Sequence, residues 1–378
     1  MDSNVYIFAG GGTGGHVYPG LAVAEELTQL SPQARIVFAC SQRAIDRRIL
    51  DTLPHAVVPQ PVRPLPRRAG DLWPFLRAWQ RSSTQARAMI EDLRPAAVLG
   101  LGGFAAGPIV RQAAKAGVRT GLLNPDAVPG KANRVLARYA DAIFTQFEAT
   151  TEAFSDRLRS RIRIVGCPVC CAAAPGGRQE AIAHFGLESG RRTLLVLGGS
   201  TGAATINEAF AALAGEITHL ETPWQVLHIT GPAQIVEVGP EGEPAEPHVH
   251  TVEYCDRMDL AYAAADLALC RAGASTVAEL TAIGTPAVFM PYPYHADQHQ
   301  RLNAGAMCGA GAALICEDAK VATANAAALR QVLLALMQDS PRLARMKESI
   351  AGLGKPRAAH EIARWLAGGN PEGTWYCT

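Results

Sequence analysis

The chain has 378 residues and a formal net charge of +1 at pH 7; the length predicts two domains, each able to bury a core, and the charge gives nucleic acid no general attraction. No apolar run reaches the roughly 20 residues of a membrane span, and Met1-Asp2-Ser3-Asn4 leads straight into a strand, so no signal peptide is expected. Nine cysteines spread over both halves fit free thiols in a reducing cytoplasm. Residues 5–9 predict a short buried strand. It enters Gly10-Gly11-Gly12-Thr13-Gly14-Gly15-His16, and a helix is expected from about Pro19 to Leu30. Strand, glycine loop and helix are the parts of a Rossmann-like unit, although the spacing is not a clean dinucleotide fingerprint and no P-loop motif occurs. Glycines let backbone approach a ligand closely. His16 ends the loop where a substrate would lie, as a titratable group or as a mere hydrogen-bond partner of the loop.

Residues 35–40 predict a second strand. Residues 63–87 carry Arg63, Arg67, Arg68, Arg77, Arg81 and Arg87 against a single acid, Asp71, with Leu72, Trp73, Phe75, Leu76 and Trp79 at near-helical spacing. Apolar side chains rimmed by arginine suit the headgroup region of an anionic membrane; the other reading is a core helix with a solvated basic face. Residues 96–101 predict a strand before a second glycine turn, Gly102-Gly103-Phe104, and a helix to Ala116. A strand over 120–123 then leads into Leu123-Asn124-Pro125-Asp126-Ala127-Val128-Pro129-Gly130, with Asn133 just beyond. Strands over 142–145 and 162–165 complete the first sheet. Cys167-Pro168-Val169-Cys170-Cys171 has the spacing of a redox or half-zinc pair, but no second pair sits at ligand spacing, which favours plain thiols.

In the second half, residues 193–197 predict a strand before Gly198-Gly199-Ser200-Thr201-Gly202-Ala203 and a helix through Leu213. Strands follow over 224–229 and 249–254, with residues 235–248 read as a loose surface loop and 258–264 as a short helix. Residues 267–269 form a strand that runs through Arg271-Ala272-Gly273 into a helix beginning Ala274-Ser275-Thr276-Val277-Ala278-Glu279. A helix N-terminus offers N–H groups and a partial positive charge, a seat for a diphosphate. Glu279, one turn further in, can accept two ribose hydroxyls. A strand over 287–290 leads to a polar loop, His295-Ala296-Asp297-Gln298-His299-Gln300-Arg301-Leu302-Asn303, whose side chains suit a sugar. A last strand over 310–315, a helix over 324–337, mostly helical residues 341–366 and a disordered tail over 368–378 complete the reading. Alternating strands and helices predict an α/β fold with parallel sheets covered on both faces, and ligands at the carboxyl ends of the strands, in a cleft between the halves.

In combination these motifs resemble the GT-B glycosyltransferases of family 28. The resemblance covers nearly the whole chain. It rests on the loop Gly11-Gly12-Thr13-Gly14-Gly15-His16 through Pro19-Gly20, the second and third glycine turns, the run from Ala274 to Glu279, and Asp297, Gln300 and Asn303. It implies two Rossmann-like domains: 1–165 for the acceptor and the membrane, 166–340 for the UDP-sugar, helices over 341–367 with the last crossing back to the first domain, and a tail over 368–378. It implies an inverting N-acetylglucosaminyltransferase that carries the sugar from UDP-N-acetylglucosamine (UDP-GlcNAc) to lipid I, giving lipid II for peptidoglycan, with no cofactor and no metal. The implied partners are those two substrates, the anionic cytoplasmic membrane surface at which the enzyme is peripheral, and other cell-wall synthesis proteins, but no nucleic acid. His16 is the implied base. The donor is assigned to Thr13, Gly14, Gly15, Ser200, Cys255, Ala274, Ser275, Thr276, Val277, Ala278, Glu279, His299, Gln300 and Asn303, and the acceptor to Gly12, Gly102, Gly103, Asp126 and Asn133. Membrane contact is assigned to Trp73, Phe75, Leu76, Trp79, Arg77 and Arg81.

Two departures stand out. The family's His-Glu-Gln-Asn reads Leu123-Asn124-Pro125-Asp126 here, and the arginine of its Gly-Asn-Pro-Val-Arg is Cys170, so the diphosphate loses a charge that normally helps hold it. They keep open a divergent paralogue with another acceptor, or a non-catalytic nucleotide-sugar binder. A nicotinamide oxidoreductase fits least, because Glu279 lies inside a helix rather than at the end of a following strand.

Overall fold

A computed structural model describes residues 4–51, 53–66, 68–170, 177–199, 202–232 and 248–369. The chain divides into two compact units, Met1–Cys170 with Pro356–Thr378, and Cys171–Lys355. The first division therefore follows Cys170, later than the 165/166 boundary read from the sequence. The second falls at Pro356, so the helix Ser340–Glu348 belongs to the second unit.

The first unit is built on seven parallel strands: β1 (Val5–Gly10), β2 (Arg35–Cys40), β3 (Ala56–Pro59), β4 (Ala97–Gly102), β5 (Arg119–Asn124), β6 (Ala142–Thr145) and β7 (Ile162–Ile164). Their order is β3-β2-β1-β4-β5-β6-β7. Side chains alternate across the sheet. Ile7, Val37 and Val98 enter a core with Met89, Ile90 and Ile109 on one face. Phe8, Phe38 and Leu99 meet Val23, Leu27, Ile362 and Trp365 on the other. Helix Ala358–Leu366 thus completes the first unit's core from the far end of the chain. Its Trp365 meets Phe144 edge to face at 5.4 Å between ring centroids, and its His360 pairs with Glu26 at 3.0 Å. The order reverses between β1 and β4, and both strands end in glycine loops, the place where open α/β sheets receive ligands.

The second unit repeats the plan with six parallel strands: β8 (Arg192–Leu197), β9 (Trp224–Ile229), β10 (Val249–Val252), β11 (Leu267–Cys270), β12 (Ala287–Phe289) and β13 (Ala313–Ile315), in the order β10-β9-β8-β11-β12-β13. Here the reversal lies between β8 and β11. Leu194, Val196, Trp224, Val226, Leu267, Leu269 and Val288 are buried against Ile206, Phe210, Leu329, Leu333 and Leu336. The Trp224 indole N–H donates to Met337 O at 3.1 Å, so this bulky core residue leaves its one polar atom satisfied.

Several local expectations change. The first helix spans Gly14–Leu30 rather than starting near Pro19. Pro19 deprives the helix of a single bond, to the carbonyl of Gly15, an exposed residue that water can serve. Helix Ala44–Leu50 and strand β3 had no reading from sequence. His299 to Asn303 are not loop but the opening of helix His299–Gly309, preceded by Gln298 in the left-handed region at φ 47°. The long helix over 324–337 is Ala322–Leu329, a π-turn at Arg330–Leu334 and Ala335–Gln338. The loop expected over 235–248 and the tail over 368–378 lie almost wholly outside the described residues.

Candidate active site: an imidazole in one unit, a carboxylate in the other

In the first unit, the loops after β1 and β4 and the segment after β5 converge on His16. Thr13 precedes helix Gly14–Leu30 in extended conformation and its side chain does not cap the helix. Its hydroxyl instead meets His16 Nδ1 at 2.9 Å. If Nδ1 carries the proton and donates to Thr13, the lone pair of Nε2 is left for chemistry. Nε2 faces Gly102, which has φ 99°; a Cβ there would lie 3.2 Å from His16 Nε2 and 3.3 Å from Asn133 Oδ1. Any side chain at Gly102 would thus be strained and would crowd the imidazole. A Cβ at Gly103 would lie 3.6 Å from His16 Cε1. Asn133 is buried, and its amide N–H groups donate to Leu123 O (3.1 Å) and Asn124 Oδ1 (3.0 Å). Its Oδ1 is buried with no partner among the described residues. Asn124, one of the departures, therefore ties the altered segment to Asn133 and to Asp126 O at 2.8 Å.

Burial pushes the His16 pKa below the ordinary 6.5, against the opposing pull of the Asp126 and Asp46 carboxylates. The imidazole is therefore neutral at pH 7. The structure brings together the expected Gly102, Gly103, Asp126 and Asn133 around His16, with Gly12, Gly14 and Gly15 on the adjoining loop and first helical turn.

In the second unit, helix Ala274–Ile283 follows β11 through Gly273, which no side chain caps. Ser275 and Thr276 are half-buried in its first turn, and Ala274, Val277 and Ala278 are buried. Glu279 is half-buried one turn in, and its Oε2 accepts from the hydroxyl of fully buried Tyr262 at 2.6 Å. Desolvation pushes the Glu279 carboxyl up to about 7, despite the lowering effect of the Tyr262 hydrogen bond. Cys255, half-buried after β10, has its thiol pushed up to about 11 by burial. Ser200 lies outside the described residues.

The polar segment separates into two kinds of residue. His299 Nδ1 pairs with Asp297 Oδ1 at 2.8 Å, and that hydrogen bond is the main cause holding the Asp297 carboxyl below its usual range. Gln300 Oε1 accepts from Tyr292 N–H at 2.9 Å. Asn303, expected to face a sugar, is instead fully buried and donates to Ala272 O at 3.1 Å. It fixes the turn ahead of the Ala274 helix.

Arg271 also serves that turn and had no role in the sequence reading. It is 8% exposed and pairs with Asp318 at 2.9 Å. It donates to Thr205 Oγ1 at 2.7 Å and to Met290 O at 2.8 Å. Burial alone would raise the Asp318 pKa, but hydrogen bonds from Thr205, Asn325, the Lys320 N–H and Arg271 outweigh it and hold the carboxyl below its usual range. An arginine directly after a buried strand and before a glycine was the only sequence signal; its partner Asp318 gave none. Among the described residues no group of three or more His, Cys, Asp or Glu side chains could hold a metal ion.

Two parallel-sheet units, each with glycine loops at its switch point, define a GT-B fold. Residues 6–145 match the glycosyltransferase family 28 N-terminal domain and residues 193–362 the glycosyltransferase family 28 C-terminal domain. A relative from Halothermothrix orenii, named UDP-N-acetylglucosamine--N-acetylmuramyl-(pentapeptide) pyrophosphoryl-undecaprenol N-acetylglucosamine transferase, is 35% identical over 363 residues, 94% of this chain and 96% of the relative. A relative of the same name from Leifsonia xyli is 39% identical over 354 residues, 92% of this chain and 94% of its own. The crystal structure of Acinetobacter baumannii MurG superimposes with a TM-score of 0.74 at 26% identity, covering 96% of this chain and 99% of that one. The chain belongs to glycosyltransferase family 28.

Proposed function

We propose that the chain is an inverting glycosyltransferase that moves N-acetylglucosamine from UDP-GlcNAc to lipid I, forming lipid II. The observation that carries this reading is the near-full-length identity to relatives named for that transfer. Neutral His16 takes the proton of the acceptor hydroxyl as its oxygen attacks C1 of the sugar. The C1–O bond to UDP breaks on the opposite face, so the anomeric configuration inverts. The leaving diphosphate carries the electron pair and is stabilised by the N-terminus of helix Ala274–Ile283, as a helix terminus stabilises any anion placed on it. Ionised Glu279 accepts the ribose hydroxyls. His299 and Gln300 serve the sugar, while Asn303 and Arg271 support the turn. Asp126, Asn133 and the loops at Gly12, Gly102 and Gly103 hold the acceptor. Incubation with labelled UDP-GlcNAc and lipid I tests the reading: labelled lipid II and stoichiometric UDP are expected, and their absence from folded protein would reject it. The second reading, a nucleotide-sugar binder, draws on Asn124-Pro125-Asp126 and Cys170 and predicts UDP-GlcNAc binding without UDP release.

A peripheral place at the cytoplasmic membrane face is part of the proposal. Among the described residues no helix is long and apolar enough to cross a membrane. Helix Leu72–Leu93 exposes Leu72 (50%), Trp73 (64%) and Leu76 (44%), with Arg77 stacked 5.5 Å from the Trp73 ring. Arg81 is exposed beside them, whereas Arg87 is paired with Glu91 at 2.7 Å. Trp79 is half-buried against the next helix: a Cβ on Gly107 would lie 2.9 Å from its ring. Phe75 is half-buried beside it, at 6.2 Å between ring centroids. The two groups should separate by mutation. Replacing Trp73 and Leu76 by serine is expected to abolish the salt-resistant part of binding to anionic vesicles with little change in unfolding temperature. Trp79→Ser is expected to lower stability instead. Vesicle flotation at low and high salt measures the first effect, and equal flotation of the double variant would remove the membrane role from this face.

A further inference from the structure

Asp46 is a fully buried carboxylate in the first turn of helix Ala44–Leu50. A buried charge is costly unless hydrogen bonds replace its water. Three donors do so: Gly12 N–H reaches Oδ1 at 2.7 Å, and Ser41 N–H and Oγ–H reach Oδ2 at 3.0 and 2.5 Å. One of them belongs to the His16 loop. The same Gly12 peptide is held from its other side, where Arg43 Nη1 donates to Gly12 O at 3.2 Å. The Arg43 guanidinium also lies 5.1 Å from the ring of Phe104, in the second glycine loop. The carboxylate presses close to the loop: a Cβ on Gly11 would meet Asp46 Oδ2. Both glycine loops that surround His16 are thus tied to one short connection after β2, by a carboxylate, a guanidinium and an aromatic face. An apolar residue at position 46 could not accept from Gly12 or Ser41.

We propose that Asp46 and Arg43 are positioning residues for the His16 loop, holding the Gly12 peptide so that the imidazole meets the acceptor hydroxyl in one orientation. The proposal rests on the transferase reading for its catalytic consequence, but the loop contacts stand without it. Misplacement of a reacting group by about 1 Å can cost on the order of a hundredfold in rate. The charges acting on His16 are Asp126 from the segment after β5 and Asp46 from the helix after β2, both of which favour the imidazolium against burial, while Arg43 is held at the Gly12 carbonyl. Loss of the Asp46 charge therefore lowers the His16 pKa further.

The test uses the full chain with Asp46→Asn, which keeps shape and one acceptor oxygen but loses the charge. Expected are a fall in kcat of at least about tenfold, a UDP dissociation constant within about twofold of wild type, and a lower midpoint for His16 in an NMR titration, its resonance assigned by comparison with His16→Gln. A folded variant with wild-type kcat and an unmoved midpoint would overturn the proposal. If Asp46→Asn does not fold, Arg43→Ala takes its place, since Arg43 is exposed: a kcat loss with unchanged UDP affinity supports the proposal, and wild-type kcat overturns it. If wild type itself transfers no sugar, the transferase reading fails on its own, and the NMR midpoint alone decides whether Asp46 governs the imidazole.

Discussion

His16→Ala is expected to cut turnover by about 10²–10⁴, the usual range for loss of a general base, and to leave UDP affinity almost unchanged. The separation follows from position: His16 belongs to the first unit, while Glu279 and the Ala274 helix belong to the second. The pH profile carries the sharper signature. Burial holds the His16 pKa below the ordinary 6.5, so the base is in its active, neutral form throughout neutral pH. Wild-type kcat/KM for the acceptor, at saturating UDP-GlcNAc, should fall as pH drops through that depressed value, where imidazolium forms, and His16→Ala should lack this limb. If His16 only positions the acceptor, the variant keeps the limb and loses acceptor affinity instead. Near wild-type turnover of His16→Ala at saturating acceptor would exclude the base role and direct attention to Asp126, the carboxylate that joins it in setting the local field.

The sequence makes the frame legible because its signals are local. Apolar runs such as Ile7-Phe8-Ala9 and Leu267-Ala268-Leu269 read as buried strands, and the glycines after them mark where backbone turns. Those two features place His16 and Glu279 at carboxyl ends of strands without any contact information. The missing parts are those whose meaning depends on partners distant in sequence. Arg271 becomes structural only when Asp318 and Thr205 surround it. Tyr262 matters through one hydrogen bond to Glu279 across two elements, and nothing in its neighbourhood announces this. Asp46 lies in a helix that had no reading from sequence, and its role shows only when the Gly12 peptide is seen against it. Polar type also misled. Asn303 lies in a stretch rich in polar residues, yet helix His299–Gly309 turns it inward to Ala272. Trp79 and Trp73 shared one reading although their helix lays one ring half-buried against the next helix and sends the other to solvent.

UDP should bind more tightly as pH rises through about 7, and Glu279→Gln should abolish that dependence while weakening binding at pH 8 at least tenfold, roughly 1.4 kcal/mol. The ribose hydroxyls donate to a carboxylate, and the Glu279 carboxyl, raised from 4.5 to about 7 by desolvation, is largely protonated below neutrality. The terminal phosphate of UDP also titrates, with a second pKa near 6, so the difference between wild type and variant isolates the residue. The same shift has a cost in the free protein. Between pH 4.5 and 7 the native state holds a proton that the unfolded chain has released. The contribution of Glu279 is therefore fully present below the unfolded pKa and is lost as pH rises through the folded one. At pH 8 the ligand-free Glu279→Gln protein should be more stable than wild type, by up to on the order of 3 kcal/mol, and the advantage should vanish below about pH 4.5. Saturating UDP should narrow that gap at pH 8 by at least about 1.4 kcal/mol, because a ligand that binds only the native state stabilises it with the logarithm of its affinity. Thermal unfolding of both proteins at pH 4 and 8, with and without UDP, measures these differences. Equal UDP affinity in the two proteins at pH 8 would remove Glu279 from the donor site, and equal ligand-free stability would show that its carboxyl is better solvated than its surroundings indicate.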